Sequence, residues 1–385
     1  MKNLVFCTSF LLLNILVWSC QNASNPSNET SVIDISGQCS EIALKLDDIA
    51  EDIKLTRLET DKNAMIRYFR GYVGEKNIVT IDHEKILQFS SDGQFIRVIA
   101  IKGRGPGEFG QIDAWDVDEN EHFFLYHDVG KSYITKYNLD SFKFENNIPF
   151  TDKGYLSNIL TVNDTLLIIL PGMFSNYGYL YFYQSTSGQI CEGIKKEPVP
   201  HPGVWSGRTP VFRKMGDDSF LFQPSESDTI FKIDRSHFKP VISLLTEDPQ
   251  TNGEITKGAY ISFLYQDDKK VFLQKLGYET RNTPNSVSTR ALENETLMFN
   301  RKSNKLYSIK PFYHDYFGFK LDIHSIDFSK GNQFIVLYQA LDFKNLLRDA
   351  FQKNEIPESQ KERLQQLFDQ ISEFDNPILI TGRIR

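Results

Sequence analysis

The chain has 385 residues, 43 Lys plus Arg against 50 Asp plus Glu, and a formal net charge of −7. Its lysines and arginines are scattered, which argues against the clustered basic surface that nucleic-acid binding rests on. Four cysteines and seven histidines, dispersed along the chain, offer neither a disulfide framework nor a metal-ligand spacing, so no metal and no cofactor is expected.

Lys2 supplies a positive start, and residues 4–17 form an apolar run broken only by Thr8, Ser9 and Asn14. The run is shorter than the roughly 20 apolar residues of a membrane-spanning helix. It has the layout of a secretory signal peptide over residues 1–19. Cys20 follows small Ser19 at the end of that run, and so resembles the lipidated cysteine of a bacterial lipoprotein. The alternative is ordinary cleavage near Ser19 with Cys20 unmodified. Residues 20–40 read as a flexible polar tether, which leaves a mature chain held to a membrane by lipid and otherwise soluble. Cys39 and Cys191 remain, and whether they pair is open.

From residue 41 onward helical periodicity is scarce until 342, and aromatics reach 13%. Short apolar runs punctuated by Gly, Asn, Asp and Ser read as an all-β chain. One kind of strand is compact and strongly apolar: NIVTID (77–82), HFFLYH (122–127), TLLIIL (165–170), SFLFQ (219–223), KVFLQKL (270–276) and QFIVLY (333–338). A second kind follows each of them, and the first four of these begin at 86, 133, 180 and 229, in steps of 47, 47 and 49 residues. A repeat of just under fifty residues with about four strands is the signature of a β-propeller blade. Each blade is apolar on both faces and buries them only against its neighbours. Six such repeats over 41–385 predict a six-bladed propeller of four-stranded blades.

The last repeat stops after 377–385 without a final strand, and 51–60 has strand character without a hairpin partner. The expectation is that 51–60 pairs beside 377–384 and completes the sixth blade. Residues 342–351 and 359–374 carry apolar side chains at helical spacing, a helical hairpin inserted at 342–375. It reads as a cap over apolar rim residues of blades six and one, or alternatively as a lid or docking element.

The segments L-E-T (58–60), F-S-S-D-G-Q-F-I (89–96), G-R-G-P-G-E-F (103–109) and N-P-I-L (376–379) resemble those of the six-bladed β-propeller lipoproteins of Bacteroidetes, which are similar to NHL-repeat propellers. The resemblance implies this fold and a cell-envelope, outer-membrane address. It implies no activity and no catalytic set.

Long excursions at 102–110, 171–178, 195–209, 277–293 and 342–375 are expected on one face, where binding usually occurs on a rigid scaffold. They supply the candidate ligand-binding residues: Arg104, Glu108, Tyr177, His201, Trp205, Arg208, Tyr278 and Arg281. Arginines with aromatics suit a sugar or a peptide, the rings covering apolar faces and the guanidinium groups reading polar ones. Arg104 and Glu108 are expected to pair across their glycine-rich turn. Pro106 and the strand-like sequence that follows argue against a phosphate cradle. Glu108, Asp113, Asp116 and His201 are the acid–base groups available to an enzyme, but no nucleophile motif accompanies them. The leading reading is a monomeric, non-enzymatic envelope protein binding a glycan, a peptide or a protein partner. The alternative is a propeller hydrolase or lyase acting on carbohydrate or peptide.

Overall fold

The computed structural model describes residues 30–385 apart from 38, 106, 119, 151–154, 164–165, 172–179, 185, 187–188, 195–210, 216–219, 225–226, 234–237, 284–285, 324–325 and 329–331. The signal peptide, Cys20 and most of the tether lie outside the described residues. No helix among those described is long and apolar enough to cross a membrane.

The short β-branched and aromatic runs form six sheets in a β-propeller-like arrangement. The first is a meander of Gly71–Val73, Asn77–Ile81, Lys85–Ser90 and Phe95–Ile101. The second runs through Ile112–Val117, Phe123–Asp128, Tyr133–Asn138 and Lys143–Pro149. The third comprises Leu156–Asn163, Leu166–Pro171, Leu180–Gln184 and Gln189–Ile194. The fourth comprises Val211–Lys214, Phe220–Gln223, Thr229–Ile233 and Phe238–Leu245. The fifth is larger, built on Ile255–Gln266, Lys270–Thr283, Ser286–Asn300 and Lys305–His314. The sixth holds Asp327–Phe328, Gln333–Tyr338 and Ile378–Ile384. Second strands such as Asn77–Ile81 and Phe220–Gln223 are buried along their whole length, because each sheet is covered on both faces.

The apolar cores link these sheets in succession. One joins the first to the second through Val79, Ile86, Val117 and Phe124. Others join second to third through Leu125, Ile134, Ile159 and Leu167, and third to fourth through Ile168, Leu170, Phe220 and Phe222. Leu221, Ile230, Phe263 and Leu273 bridge fourth to fifth. Phe272, Phe312, Phe334 and Ile380 bridge fifth to sixth. Ile335 and Leu379 of the sixth sheet then pack with Ile78, Leu87 and Phe89 of the first.

The segment before the first sheet forms the outer edge of three sheets in turn. Ser31–Asp34 pairs parallel with Phe238–Leu245, and Ser40–Lys45 pairs parallel with Lys305–His314. After the four-residue helix α1 (Leu46–Ile49), Ala50–Arg57 pairs antiparallel with Ile378–Ile384, Arg57 opposite Ile378. The strand expected at 51–60 is thus where the incomplete last repeat needs it. Residues 31–34, read as tether, are instead strand, with Ile33 fully buried. Cys39 is a free thiol packed beside the fifth sheet.

Three of the four resembling segments, 58–60, 89–96 and 376–379, meet beside this closing strand. Glu59 takes the Phe95 N–H on its Oε2 at 2.8 Å, while its own N–H donates to Gly93 O at 2.8 Å. Gly93 has φ +88, and a Cβ there would lie 2.0 Å from the Arg57 carbonyl oxygen, so only glycine fits. Asn376 donates through Nδ2 to the carbonyls of Glu59 and Ala64, each at 2.8 Å, and accepts the Ile66 N–H on Oδ1 at 2.8 Å.

Two helices stand between Gln333–Tyr338 and Ile378–Ile384: α2 (Ala340–Gln352) and α3 (Glu358–Gln370). Phe343, Leu347, Ala350 and Leu364 bury their side chains against Phe317, Phe319 and Leu321 in the core shared by the fifth and sixth sheets. They cap that junction rather than the one between sixth and first. The excursion expected at 277–293 is not a loop. It belongs to the strands Lys270–Thr283 and Ser286–Asn300, which pair with each other to Thr283 opposite Ser286 and extend the fifth sheet as an arm.

Candidate functional site

The loop at 102–110 is closed at its base by two backbone bonds, Gly103 N–H to Phe109 O at 2.9 Å and Phe109 N–H to Ile101 O at 3.0 Å. Phe109 is buried in the core between the first two sheets. Glu108 folds back over the glycines and accepts the Gly105 N–H on Oε2 at 2.7 Å. A Cβ on Gly103 would sit 1.9 Å from that oxygen. Beyond the loop, Asp128 takes the N–H groups of Gly110 at 2.8 Å and Gln111 at 2.7 Å. The expected Arg104–Glu108 pair does not form: the carboxylate finds a backbone donor three residues away, and Arg104 stays exposed at the tip.

Tyr278 and Arg281 lie on the arm. Tyr278 stacks on Tyr260 with ring centroids 4.4 Å apart, covering Gly258, and Arg281 is exposed opposite Ser288. Neither lines the cavities that open beside the first two sheets. Tyr177, His201, Trp205 and Arg208 lie outside the described residues.

Two cavities meet at Arg70. The first, about 250 Å³, is walled by the first strands of successive sheets: Arg70, Asp113, Asp116, Asn158, Arg213 and Asp327 contribute polar groups. Its carboxylates are engaged with the scaffold. Asp113 Oδ1 lies 2.8 Å from His127 Nδ1, and its Oδ2 accepts the Leu156 N–H at 2.8 Å. Asp116 Oδ2 accepts the Thr161 N–H at 2.7 Å. Arg213 donates to Leu264 O at 3.2 Å and to Asp327 Oδ1 at 3.3 Å. Burial lowers its pKa and Asp327 opposes that shift. These contacts tie the second sheet to the third, and the fourth to the fifth and sixth.

The second cavity, about 610 Å³, is an open groove between the first two sheets at the foot of the loop at 102–110. It is lined by Tyr68, Phe69 and Arg70 just ahead of the first sheet, by Asp82 and His83 at the turn after Asn77–Ile81, and by Lys102, Phe109 and Gly110 of the loop. Tyr68 is 68% exposed and meets His83 edge-on at 5.9 Å. Asp82 is 6% exposed, and its Oδ1 has no hydrogen-bond partner among the described residues. A buried polar atom without a partner is uncommon and costly; Thr161 Oγ1 and Asp267 Oδ2 are the others of this kind among the described residues.

None of Tyr68, Arg70, Asp82, His83 and Lys102 stands out in the sequence. One local signal is present: NIVTID places an aspartate just past a short strand that is buried along its whole length. Arg70 and Lys102 come together with it only through the pairing of the first sheet, where the Ile81 N–H meets Arg70 O at 2.9 Å and the Lys102 N–H meets Glu84 O at 2.8 Å.

A family model described as "Domain of unknown function (DUF4934)" matches residues 30–383, and the chain belongs to that family. Among solved structures it is similar to a Bacteroides fragilis protein described as exported, with 17% identity, a TM-score of 0.62, and coverage of 92% of this chain and 100% of that one. It is also similar to a DUF4221 family member from Bacteroides vulgatus, with 10% identity, a TM-score of 0.50, and coverage of 88% and 97%. At these identities the likeness is one of fold. No curated protein matches the chain.

Proposed function

We propose that this member of the DUF4934 family is an exported binding protein, anchored by lipid at Cys20, whose six sheets are the blades of one six-bladed propeller. The succession of shared cores, from first sheet to sixth and back to the first, supports the six-bladed reading. The signal-peptide layout of residues 1–19 and the similarity to a protein described as exported support the address. The observation that carries a binding role is the open groove of about 610 Å³ beside the loop at 102–110, lined by the exposed ring of Tyr68, by Arg70 and Lys102, and by Asp82, a carboxylate with one buried oxygen that has no partner among the described residues.

The hydrolase or lyase alternative needs a carboxylate and a base free to act on a substrate. Asp113 and Asp116, which face the first cavity, hold backbone N–H groups of the next sheet, and Asp82 is the lone carboxylate among the described residues lining the groove, with no second acid beside it there. Binding without turnover is therefore the reading adopted. The full mature chain, spread on glycan and peptide arrays, is expected to give discrete hits whose bound ligands are recovered uncleaved. Release of cleaved product would contradict this. In the native host Cys20→Ser is expected to move the protein from the detergent-soluble membrane fraction to the aqueous one, and retention in the membrane would contradict the anchor.

A further inference from the structure

We propose that the groove between the first two sheets binds an anionic saccharide, a sugar chain carrying carboxylate or sulfate groups. This rests on the binding reading above and names the ligand class for its site.

The walls make three different demands. Asp82 is a carboxylate buried to 6% exposure with an oxygen lacking a partner among the described residues. A carboxylate accepts hydrogen bonds and donates none, so it calls for hydroxyl or N–H donors. Arg70 and Lys102 line the same groove and call for anions, in a chain whose net charge is −7. Arg104 extends exposed from the same loop. Tyr68 presents a ring that is 68% exposed, flanked by His83, a flat surface suited to the C–H face of a pyranose. A neutral sugar would satisfy Asp82 and Tyr68 and leave both cations without an anion, Arg70 keeping only its bond to Asp113 O at 3.3 Å. A phosphate or simple carboxylate would engage the cations and leave Asp82 without a donor. A hydroxyl-rich chain bearing anionic groups meets all three demands. The volume of about 610 Å³ and the open shape suit a segment of a chain rather than an enclosed small molecule.

Within the binding-protein reading, Asp82 is a cost to the empty protein that the ligand relieves, since stability is commonly given up at functional sites. This separates a binding role from a merely structural one. A scaffold carboxylate lowers the melting temperature when replaced, whereas Asp82→Asn is expected to leave it unchanged or raised while binding falls.

The test is calorimetric titration of the full mature chain with hexagalacturonate, a heparin hexasaccharide and a chondroitin sulfate hexasaccharide. Maltohexaose serves as the neutral control and hexaglutamate as an anion without hydroxyls. At least one anionic hexasaccharide is expected to bind, and more weakly as salt is raised. Maltohexaose and hexaglutamate should each bind at least ~10-fold more weakly, the equivalent of one lost charged or hydroxyl contact. Tyr68→Ala, Arg70→Gln and Asp82→Asn should each weaken binding by ~10-fold or more, while Arg290→Ala on the arm leaves it unchanged. Equal binding of maltohexaose or hexaglutamate overturns the ligand class. Anionic-sugar binding indifferent to Tyr68, Arg70 and Asp82 overturns the site. If none of the three anionic sugars binds while the arrays give other hits, this inference falls and the binding reading stands. Empty arrays as well would remove both.

Discussion

Single polar residues do much to hold one sheet to the next. Glu121, at φ +57 and 4% exposed, gathers the N–H groups of Glu75 at 2.6 Å, Lys76 at 3.0 Å and Asn77 at 2.6 Å in the first sheet. Gln223 does the same across the fourth and fifth sheets, donating to Ile261 O and accepting the Phe263 N–H, both at 2.8 Å. Such side chains matter less for the bonds they add than for the buried donors they keep satisfied. Glu121→Ala orphans three N–H groups, of which that of Asn77 is buried and those of Glu75 and Lys76 can turn to water, and at about 1–3 kcal/mol for a buried group left unpaired it is expected to cost about 1–3 kcal/mol in urea unfolding. His314 is one residue through which stability responds to pH. It is fully buried, its Nε2 lies 3.2 Å from the Tyr338 hydroxyl, and its Nδ1 accepts the Tyr316 N–H at 3.4 Å. Burial lowers its pKa from 6.5 to about 4, against a smaller opposing effect of Asp315. The unfolded chain therefore binds the proton more readily. The stabilisation is fully present above pH 6.5 and is lost as pH falls towards 4, a swing of roughly 3 kcal/mol. The difference in unfolding free energy between the native chain and His314→Gln should shrink by about that amount between pH 7 and pH 4. A pH-independent difference would exclude His314 as the cause.

At the scale of elements, what the sequence makes legible follows from where the apolar residues fall. Second strands such as Asn77–Ile81 and Phe220–Gln223 are buried along their length, so their mostly apolar runs announce them, and α2 and α3 show their stripes through Phe343, Leu347 and Leu364. The helices begin and end within a few residues of their expected bounds, Ala340–Gln352 and Glu358–Gln370. Ser31–Asp34 escapes notice because its four residues sit in a polar stretch and contribute one fully buried side chain, Ile33. Its strand state comes from the free edge of Phe238–Leu245, which no local pattern reveals. The arm misleads in the opposite way. Residues 286–294 are exposed one after another, so polar sequence on both faces reads as loop while backbone pairing makes it strand. Ile33→Ala removes a fully buried side chain from the core of the fourth and fifth sheets. It is expected to lower stability by about 2–5 kcal/mol. An unfolding curve superimposable on that of the native chain would show that this edge strand does not dock in solution.

For the molecule as a whole, the repeat length and a strand-like segment at 51–60 without a hairpin partner point to the closing strand, Ala50–Arg57, which takes the side of Ile378–Ile384 that Gln333–Tyr338 leaves open. The site is not legible in the same way. The loop at 102–110 stands out by composition, yet its glutamate serves the loop's own backbone. The groove beside it draws on residues near 68, 82 and 102, and no spacing rule ties these together. What joins them is the first sheet's packing on the second through Ile81, Phe109 and Ile112. That groove is the place where the propeller-like scaffold is expected to meet its ligand. The most direct test is amide hydrogen exchange of the full mature chain with and without saturating hexagalacturonate. Slowed exchange confined to residues 68–70, 82–85 and 102–111, with the arm at 278–292 unchanged, is the predicted result. Protection centred on the arm, or on the cavity of Asp113 and Arg213, would contradict it.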